Sequence, residues 1–236
     1  NLTIKNLLLL FTIISITACT SSDNDTTETP TLPTTAETII GNWTSQFTDA
    51  EGSFLNRMTF TEEAEMSIYF SLIATDGTVV EENVEGKTWT LDGNQITMTD
   101  TLDDEVDIIS VTVVNQDSII IVNPEGDSIT LTRDSDYDTT LIGVWNGVTV
   151  GESCTYTEQI SFTSSTDFSA IITNMDCDDV VELAEGTYTN PSILSGTLLL
   201  IDAASSEELS AYYAAQRDKL TLLFEGSDEA SFLDKQ

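Results

Sequence analysis

The sequence predicts an all-β protein with two small antiparallel up-and-down β-barrels in tandem, each of about eight strands. Three observations lead to this prediction. First, the segment TIIGNWTS at 38–45 returns as TLIGVWNG at 140–147, 102 residues further along the chain. Second, apolar and polar residues alternate with the period of two that is typical of half-buried strands. Third, turn-forming residues separate the alternating segments at short intervals.

The repeat extends over nearly the whole chain after residue 37. Two copies of this length are typical of tandem domains, because solenoids need shorter and more numerous units. We therefore expect domains at 38–135 and 140–236, joined by a linker at 136–139. Three further pairs of blocks align at or near the same offset: MTFT at 58–61 with ISFT at 160–163, EGKTWT at 85–90 with EGTYT at 185–189, and DSIIIV at 117–122 with DKLTLL at 218–223.

Strands account for most of each copy. In MSIYFSL at 66–72 the apolar Met66, Ile68, Phe70 and Leu72 alternate with smaller or polar residues. Turn signals such as Asp76-Gly77 and Asn123-Pro124-Glu125-Gly126 lie between such runs. A meander of this kind leaves open edges unless it closes, so the pattern favours a closed barrel.

The segment SSEELSAYYAAQRDKL at 205–220 is ambiguous. Its Ser residues, early acids and three alanines are typical of a helix. The repeat, however, aligns it with DEVDIISVTVVNQDSI at 104–119, which is rich in β-branched residues. We follow the repeat and predict a strand, with a short helix at 205–216 as the alternative.

The chain is strongly acidic, with 41 Asp and Glu residues against 7 Lys and Arg residues and a formal net charge of -34. This balance excludes nucleic acid as a partner, because binding to phosphates depends on cationic side chains. It is typical of a well-solvated surface. The absence of His removes the commonest general base and the commonest metal ligand.

The N-terminal segment 1–18 has Lys5, an apolar run from Leu7 to Ile16, and small residues before Cys19. It resembles the signal peptide and lipobox of bacterial lipoproteins. The resemblance implies that Cys19 is acylated and anchors the chain in the outer membrane, with an orientation toward the cell surface favoured by the acids that follow. An ordinary signal peptide and an uncleaved anchor are the alternatives. Segment 19–37 is rich in Thr, Ser, Asp and Pro and is expected to be a flexible tether.

A glycine and a tryptophan open each copy, and a basic residue ends it. The first copy has Gly41, Trp43 and Arg133, and the second has the corresponding set Gly143, Trp145 and Lys235. Each copy thereby resembles the lipocalins, and more closely the lipocalin-like domain found in bacterial lipoproteins. We expect the glycine to let the first strand bend and the indole to plug the closed barrel end. A cation from the last strand can then lie over the indole face.

With Cys19 assigned to the lipid, Cys154 and Cys177 remain in one domain of an exported protein. A disulfide between them is expected, and two free thiols are the alternative. The acidic segments at 100–107 and 176–179 could hold calcium loosely, but solvated loops are the preferred interpretation. We expect no metal, no cofactor and no catalytic residue.

The sequence leaves three functions open. The first is a non-enzymatic module that binds a small apolar, aromatic or glycan ligand. The second is a structural component of an envelope protein complex, and the third is a hydrolase working through carboxylates. For a ligand we expect the first barrel to be better suited. The candidate ligand contacts are all aromatic residues on predicted strands: Phe60, Phe70, Trp89, Phe162 and Tyr188.

Overall fold

The computed structural model describes residues 32–50, 52–134, 140–150, 155–174, 181–190, 192, 194–226 and 230–236. Several sequence predictions lie outside these residues. They are the signal peptide, Cys19, most of the tether, the linker, both remaining cysteines and the acidic segment at 176–179.

The first copy forms a closed barrel of eight antiparallel strands, in which consecutive strands pair. The barrel closes through the first and last strands, where Trp43 lies opposite Arg133. The strands are β1 (Gly41–Thr48), β2 (Gly52–Phe60), β3 (Glu65–Ala74), β4 (Val79–Asp92), β5 (Gln95–Asp100), β6 (Val106–Asn115), β7 (Ser118–Val122) and β8 (Ser128–Asp134).

The second copy forms a second closed barrel with the same strand order, closed by a pairing of Trp145 with Lys235. The predicted fold class, two tandem eight-stranded antiparallel barrels, is therefore confirmed. The strands are β9 (Gly143–Val150), β10 (Thr155–Phe162), β11 (Asp167–Asn174), β12 (Val181–Thr189), β13 (Ser195–Asp202), β14 (Glu208–Gln216), β15 (Lys219–Phe224) and β16 (Ser231–Lys235).

The ambiguous segment at 205–216 contains strand β14, as the repeat predicted. Its Ala211, Ala214 and Ala215 are buried, and the strand pairs with β13 on one side and β15 on the other. These two ladders satisfy its backbone groups, so tertiary pairing outweighs the high intrinsic helix propensity of the alanines.

A short helix, α1 (Ala36–Ile39), precedes β1 and overlaps the segment that the sequence assigned to the tether. Thr35 and Thr38 form a capping box, which satisfies backbone donors at its start. Ile39 at its end is fully buried in the core of the first barrel. No helix within the described residues is long and apolar enough to cross a membrane.

Strand β3 is buried on both faces. Its inner face carries Met66 and Leu72 into the first barrel, as the alternation predicted. Its outer face is covered by the second barrel, where Tyr69 packs with Val84 and with Ala214 from β14. The two barrels therefore share an apolar contact in addition to the chain that connects them.

Ion pairs surround this contact between the barrels. Arg57 pairs with Asp218 at 2.7 Å, Lys219 pairs with Glu82 at 2.6 Å, and Arg217 pairs with Asp134 at 3.1 Å. In each pair one partner belongs to each barrel, and in two of the three the cation comes from the second. Three of the few cations of this acidic chain thus lie at the interface.

A close backbone approach completes the interface at β4. The Gly86 N–H donates a hydrogen bond to the Tyr212 hydroxyl at 3.1 Å. A Cβ atom at Gly86 would lie 1.9 Å from the Cβ of Ser195, so the interface needs glycine at this position. Strand β4 therefore serves as a wall of the first barrel and as a docking surface for the second.

Candidate ligand-binding site

The closed end of the first barrel is built around Trp43, which is 1% exposed. Its Nε1 donates to the Ile39 carbonyl at 2.7 Å, so helix α1 ends directly beneath the indole. The Arg133 guanidinium lies over the ring, with Cζ 4.2 Å from the centroid. Arg133 also donates to the backbone carbonyls of Thr38, Ile40 and Gln116 and so joins the helix, the residue that follows it and the β6–β7 turn.

The second barrel repeats this arrangement. The Nε1 of Trp145 donates to the Leu141 carbonyl at 2.8 Å, and the Lys235 ammonium lies 5.1 Å from the indole centroid. Lys235 also donates to the Thr140 carbonyl at 2.7 Å. Its compact ammonium on a flexible stem has a different donor geometry from the planar guanidinium of Arg133.

Gly41 and Gly143 are required by conformation and by space. Their φ angles are +130° and +143°, a region that side chains with a Cβ disfavour. A Cβ at Gly41 would lie 2.3 Å from Nη1 of Arg133, and one at Gly143 would lie 2.6 Å from Cε of Lys235. Each glycine therefore leaves the space through which the cation reaches its indole.

An aromatic pair packs inside each barrel. The Phe60 and Trp89 rings meet edge to face at 5.3 Å, and the Phe162 and Tyr188 rings do so at 4.9 Å. All four side chains are buried in the two cores. The polar atoms of Trp89 and Tyr188 are bonded to the carbonyls of Glu65 and Ser164. The structure thus uses four of the five predicted ligand contacts as core packing.

Phe70, the fifth predicted contact, lines a cavity in the first barrel. The cavity has a volume of about 460 Å³ and lies at the barrel end away from Trp43. The β5–β6 and β7–β8 loops surround its opening. Apart from Phe47, Phe54 and Phe70, its apolar wall consists of methionine and isoleucine side chains: Met58, Ile68, Met98, Ile108, Ile109, Ile121 and Ile129.

Three phenylalanines lead from solvent into this cavity. The Phe47 and Phe54 rings stack with centroids 4.6 Å apart and an interplanar angle of 8°. Phe54 and Phe70 follow at 6.3 Å with a tilt of 44°. Phe47 is 43% exposed whereas Phe54 is 5% exposed. An aromatic or aliphatic guest would therefore contact apolar surface along its whole path inward.

Asn56 lies in the same wall and is 7% exposed. Its position in β2 falls between Phe54 and Met58 on the inner face. Within the described part of the chain, no group hydrogen bonds to its side-chain amide. Buried amides are normally paired, so this one marks a place for a polar atom of a bound molecule or for water.

A buried ammonium lies deeper in the same site. The Lys87 Nζ is 3.2 Å from Glu85, 3.2 Å from Asp100 and 3.3 Å from Asp107. Lys87 and Glu85 share the inner face of β4, and the sheet register places Lys87 directly opposite Asp100. Three carboxylates around one ammonium leave this cluster with an excess of negative charge.

The protonation of this cluster follows from its surroundings. Burial alone would lower the pKa of Lys87, but the adjacent carboxylates of Glu85, Asp100 and Asp107 together raise it above its usual value. Burial raises the pKa of the Glu85 carboxyl, and the neighbouring Lys87 opposes that shift. Lys87 is therefore a permanently charged structural cation at physiological pH.

The remaining carboxyl groups of the lining form an acidic rim, which comprises Glu81, Asp103, Glu105 and Asp127. With the three carboxylates around Lys87, the cavity lining contains seven carboxyl groups and one ammonium. The acidic segment at 100–107, which the sequence left open as a loose calcium loop, thus supplies part of the cavity wall. Among the described residues, no three acidic or cysteine side chains are grouped so that they could hold a metal ion.

The interior described for the second barrel is a continuous cluster that contains Trp145, Phe162, Tyr188 and Tyr213. Ala170 and Ala184 pack against this cluster. Ala170 stands where the repeat aligns Ile68 of the first copy, which lines the first barrel's cavity.

Sequence reasoning missed most of the residues that line the site, among them Phe47, Phe54, Asn56 and Lys87. A signal for Asn56 was present, because it interrupts the inward alternation of Phe54, Met58 and Phe60. Lys87 likewise shares a strand face with Trp89, two positions away, in a chain with few cations. A polar residue on a predicted inner face deserves the same weight as an aromatic one.

Fold and site together define a tandem β-barrel protein whose first barrel holds an aromatic cavity with an acidic rim. No protein-family model matches the chain, and no curated protein matches it. Among solved structures, it is similar to the crystal structure of the Cpx pathway activator NlpE from Escherichia coli, with 10% sequence identity and a TM-score of 0.30. The match covers 82% of this chain and 95% of that chain. At such low similarity, the fold assignment depends on the strand pairing of the chain itself.

Proposed function

We propose that the protein is a non-enzymatic, lipid-anchored lipoprotein of the bacterial outer membrane with two lipocalin-like barrels. In this proposal the first barrel binds a small apolar or aromatic ligand. The observation that carries the proposal is the cavity of about 460 Å³ lined by Phe47, Phe54 and Phe70. Its volume lies within the range of about 300–1,000 Å³ that is usual for small-molecule sites.

The composition of the wall supports ligand binding over a purely structural role. Barrels of eight strands are narrow enough to be filled by their own side chains. Here Phe47 is left 43% exposed beside the buried Phe54, and the Asn56 amide is left without a partner. Both features leave surface in the cavity that a bound molecule can cover, and a barrel that serves only as a scaffold has no use for such a cavity.

The carboxylates around Lys87 offer little support for the hydrolase alternative. A glycosidase needs one carboxyl group that is free to donate a proton and one that is free to attack or to activate water. Glu85, Asp100 and Asp107 are each engaged with the same ammonium. The sequence also contains no His that could act as a general base.

The lipid anchor is proposed from the sequence of 1–19. A Cys19→Ser variant is expected to remain unprocessed or to be released from the membrane fraction. Metabolic labelling with a fatty-acid analogue, followed by membrane fractionation, measures both properties. An unlabelled wild-type protein with unchanged fractionation of the variant would contradict the anchor.

Ligand binding can be tested with the neutral fluorescent probe N-phenyl-1-naphthylamine. Its emission is expected to rise when it enters the first barrel of the full chain. Phe70→Ala should weaken binding by about tenfold, the scale for losing one buried aromatic contact. Phe232→Ala is the matched control, since Phe232 is 43% exposed on the second barrel and does not line the cavity.

The outcomes separate the candidate functions. A probe that binds wild type and the Phe232→Ala variant equally, but Phe70→Ala more weakly, supports the proposal. The absence of any rise in emission would contradict it, and so would equal binding to all three proteins. The structural role in an envelope complex would then be the better explanation.

A further inference from the structure

We infer that the ligand of the first barrel is a protonated amine with an apolar or aromatic body. The body would lie against Phe54 and Phe70, and the ammonium group would be held among the carboxylates of the acidic rim. This inference rests on the proposed function and adds the chemical class of the ligand.

Hydrogen-bond acceptors outnumber available donors in the cavity lining. The lining contains seven carboxyl groups, which accept hydrogen bonds and donate none when ionised. Lys87 has three donors, and three carboxylates surround it. Asn123 is engaged with Asp127 through both its amide nitrogen and its amide oxygen. The lining therefore has a surplus of acceptors, which a ligand with N–H donors would satisfy.

The cavity lining carries a net negative charge. Lys87 is the single cation of the described lining and is shielded by Glu85, Asp100 and Asp107. A fatty acid or another anion would meet carboxylates before it met an available cation. Like charges in a partly buried site repel more strongly than on an open surface, because the effective dielectric constant is lower. The site therefore disfavours anions and favours cations.

Asn56 supplies an independent third observation. Its side-chain amide faces the cavity within the apolar wall, is almost fully buried, and has no partner among the described residues. The amide oxygen can accept a hydrogen bond from a ligand that has entered the barrel. The unpaired amide, which can also donate through its nitrogen, indicates that the ligand has a polar atom within hydrogen-bonding reach of Asn56.

The aromatic path adds a further attraction for cations. Phe47 and Phe54 stack at the opening, close to the elements that supply the acidic rim. Ring faces attract ammonium groups, so they can stabilise the charge during entry without fixing one position. Acceptors, negative charge and aromatic faces thus favour the same chemical class.

Three congeners with one naphthyl body test this inference on the full chain: 1-naphthylmethylamine, 1-naphthalenemethanol and 1-naphthoate. At pH 7 these are a cation, a neutral donor and an anion, so they differ mainly in charge and donor capacity. Isothermal titration at 0.15 M salt is expected to rank the amine about tenfold tighter than the alcohol, the scale of a hydrogen bond between charged groups. The naphthoate should bind more weakly than either.

Two double variants test whether the carboxylates of the acidic rim cause the preference for the amine. The double variant Asp103→Asn and Glu105→Gln should reduce amine affinity toward that of the alcohol and leave alcohol affinity unchanged. Glu207→Gln with Glu208→Gln removes the same charge from an exposed site on the second barrel and should change neither.

Failure of the inference and failure of the proposed function can be told apart. If none of the three congeners binds, the proposed function is contradicted. If naphthoate or the alcohol binds as tightly as the amine, ligand binding stands but the amine class is wrong. If the control pair on the second barrel weakens amine binding as much as the rim pair does, the attraction is that of the overall charge, and the inference is overturned.

Discussion

The guanidinium Cζ of Arg133 lies 4.2 Å from the centroid of the Trp43 indole at the closed end of the first barrel. The other Lys and Arg side chains of the described residues likewise make specific contacts. Six of the seven Lys and Arg residues lie in the described part, and each has a specific partner. Arg57, Arg217 and Lys219 pair with carboxylates across the barrel interface, Lys87 pairs within the cavity, and Arg133 and Lys235 cover the two indoles.

We expect Arg133→Gln to destabilise the first barrel by about 2–3 kcal/mol. The substitution removes the cation from the Trp43 face and weakens the bonds to three backbone carbonyls. Urea unfolding followed by tryptophan fluorescence measures the change. Arg133→Lys should fall between wild type and the Gln variant, and a loss under 0.5 kcal/mol for Gln would contradict the assigned role.

Gly41→Ala is expected to act through the same contact. The added Cβ would collide with the flexible end of Arg133, so the guanidinium would move away from the indole. We expect the free energy of unfolding to fall by about 2 kcal/mol. In the Arg133→Gln background the same substitution should cost less, because the contact between the guanidinium and the indole is already lost. Gly126→Ala, at positive φ with open space around it, is the control and should be additive. Additive effects at Gly41 would contradict this explanation.

Gly86→Ala is expected to weaken the contact between the barrels. The new Cβ would meet the base of the Ser195 side chain at 1.9 Å, which cannot rotate away. Overpacking of this kind costs about 1–3 kcal/mol. Calorimetry should show separate transitions for the two barrels in place of one. Adding Ser195→Gly to the Gly86→Ala variant should restore the single transition. Two transitions in this double variant would contradict the close approach of Gly86 and Ser195.

Lys87→Met is expected to lower stability by about 3 kcal/mol at pH 7, since it leaves buried carboxylates without their cation. Without Lys87, the pKa of Glu85 would rise further above its usual value. A carboxyl group whose folded pKa exceeds its unfolded pKa stabilises the fold at low pH, and that contribution is lost as pH rises through the folded pKa. The deficit of the variant should therefore shrink between pH 7 and pH 5. A deficit that is independent of pH in urea unfolding would contradict the charge cluster.

The disulfide between Cys154 and Cys177 stays a prediction from the sequence. Peptide mapping without reduction should recover one crosslinked pair from the exported protein. Recovery of both residues as free thiols after rapid alkylation would contradict it and leave the alternative of two unpaired cysteines.

The sequence by itself indicated that both copies consist of short strands and, in segments such as 66–72, which apolar residues face inward, because both depend on local alternation. It also indicated the two barrels and their closing residues, since the repeat places Gly41, Trp43 and Arg133 at positions matched in the second copy. Even the strand β14 was predictable in this way, although its alanines favoured a helix.

Tertiary structure decided how deep each inward side chain lies in its barrel and which residues of distant segments it contacts. Alternation cannot tell that Trp89 packs deep against Phe60 while Phe54, equally inward, lines an open cavity. It cannot tell that the outer face of β3 is covered by the second barrel, because that contact joins residues far apart in the chain. The cavity and the interface arise where strands from distant segments converge, and only closure of the sheets brings those segments together.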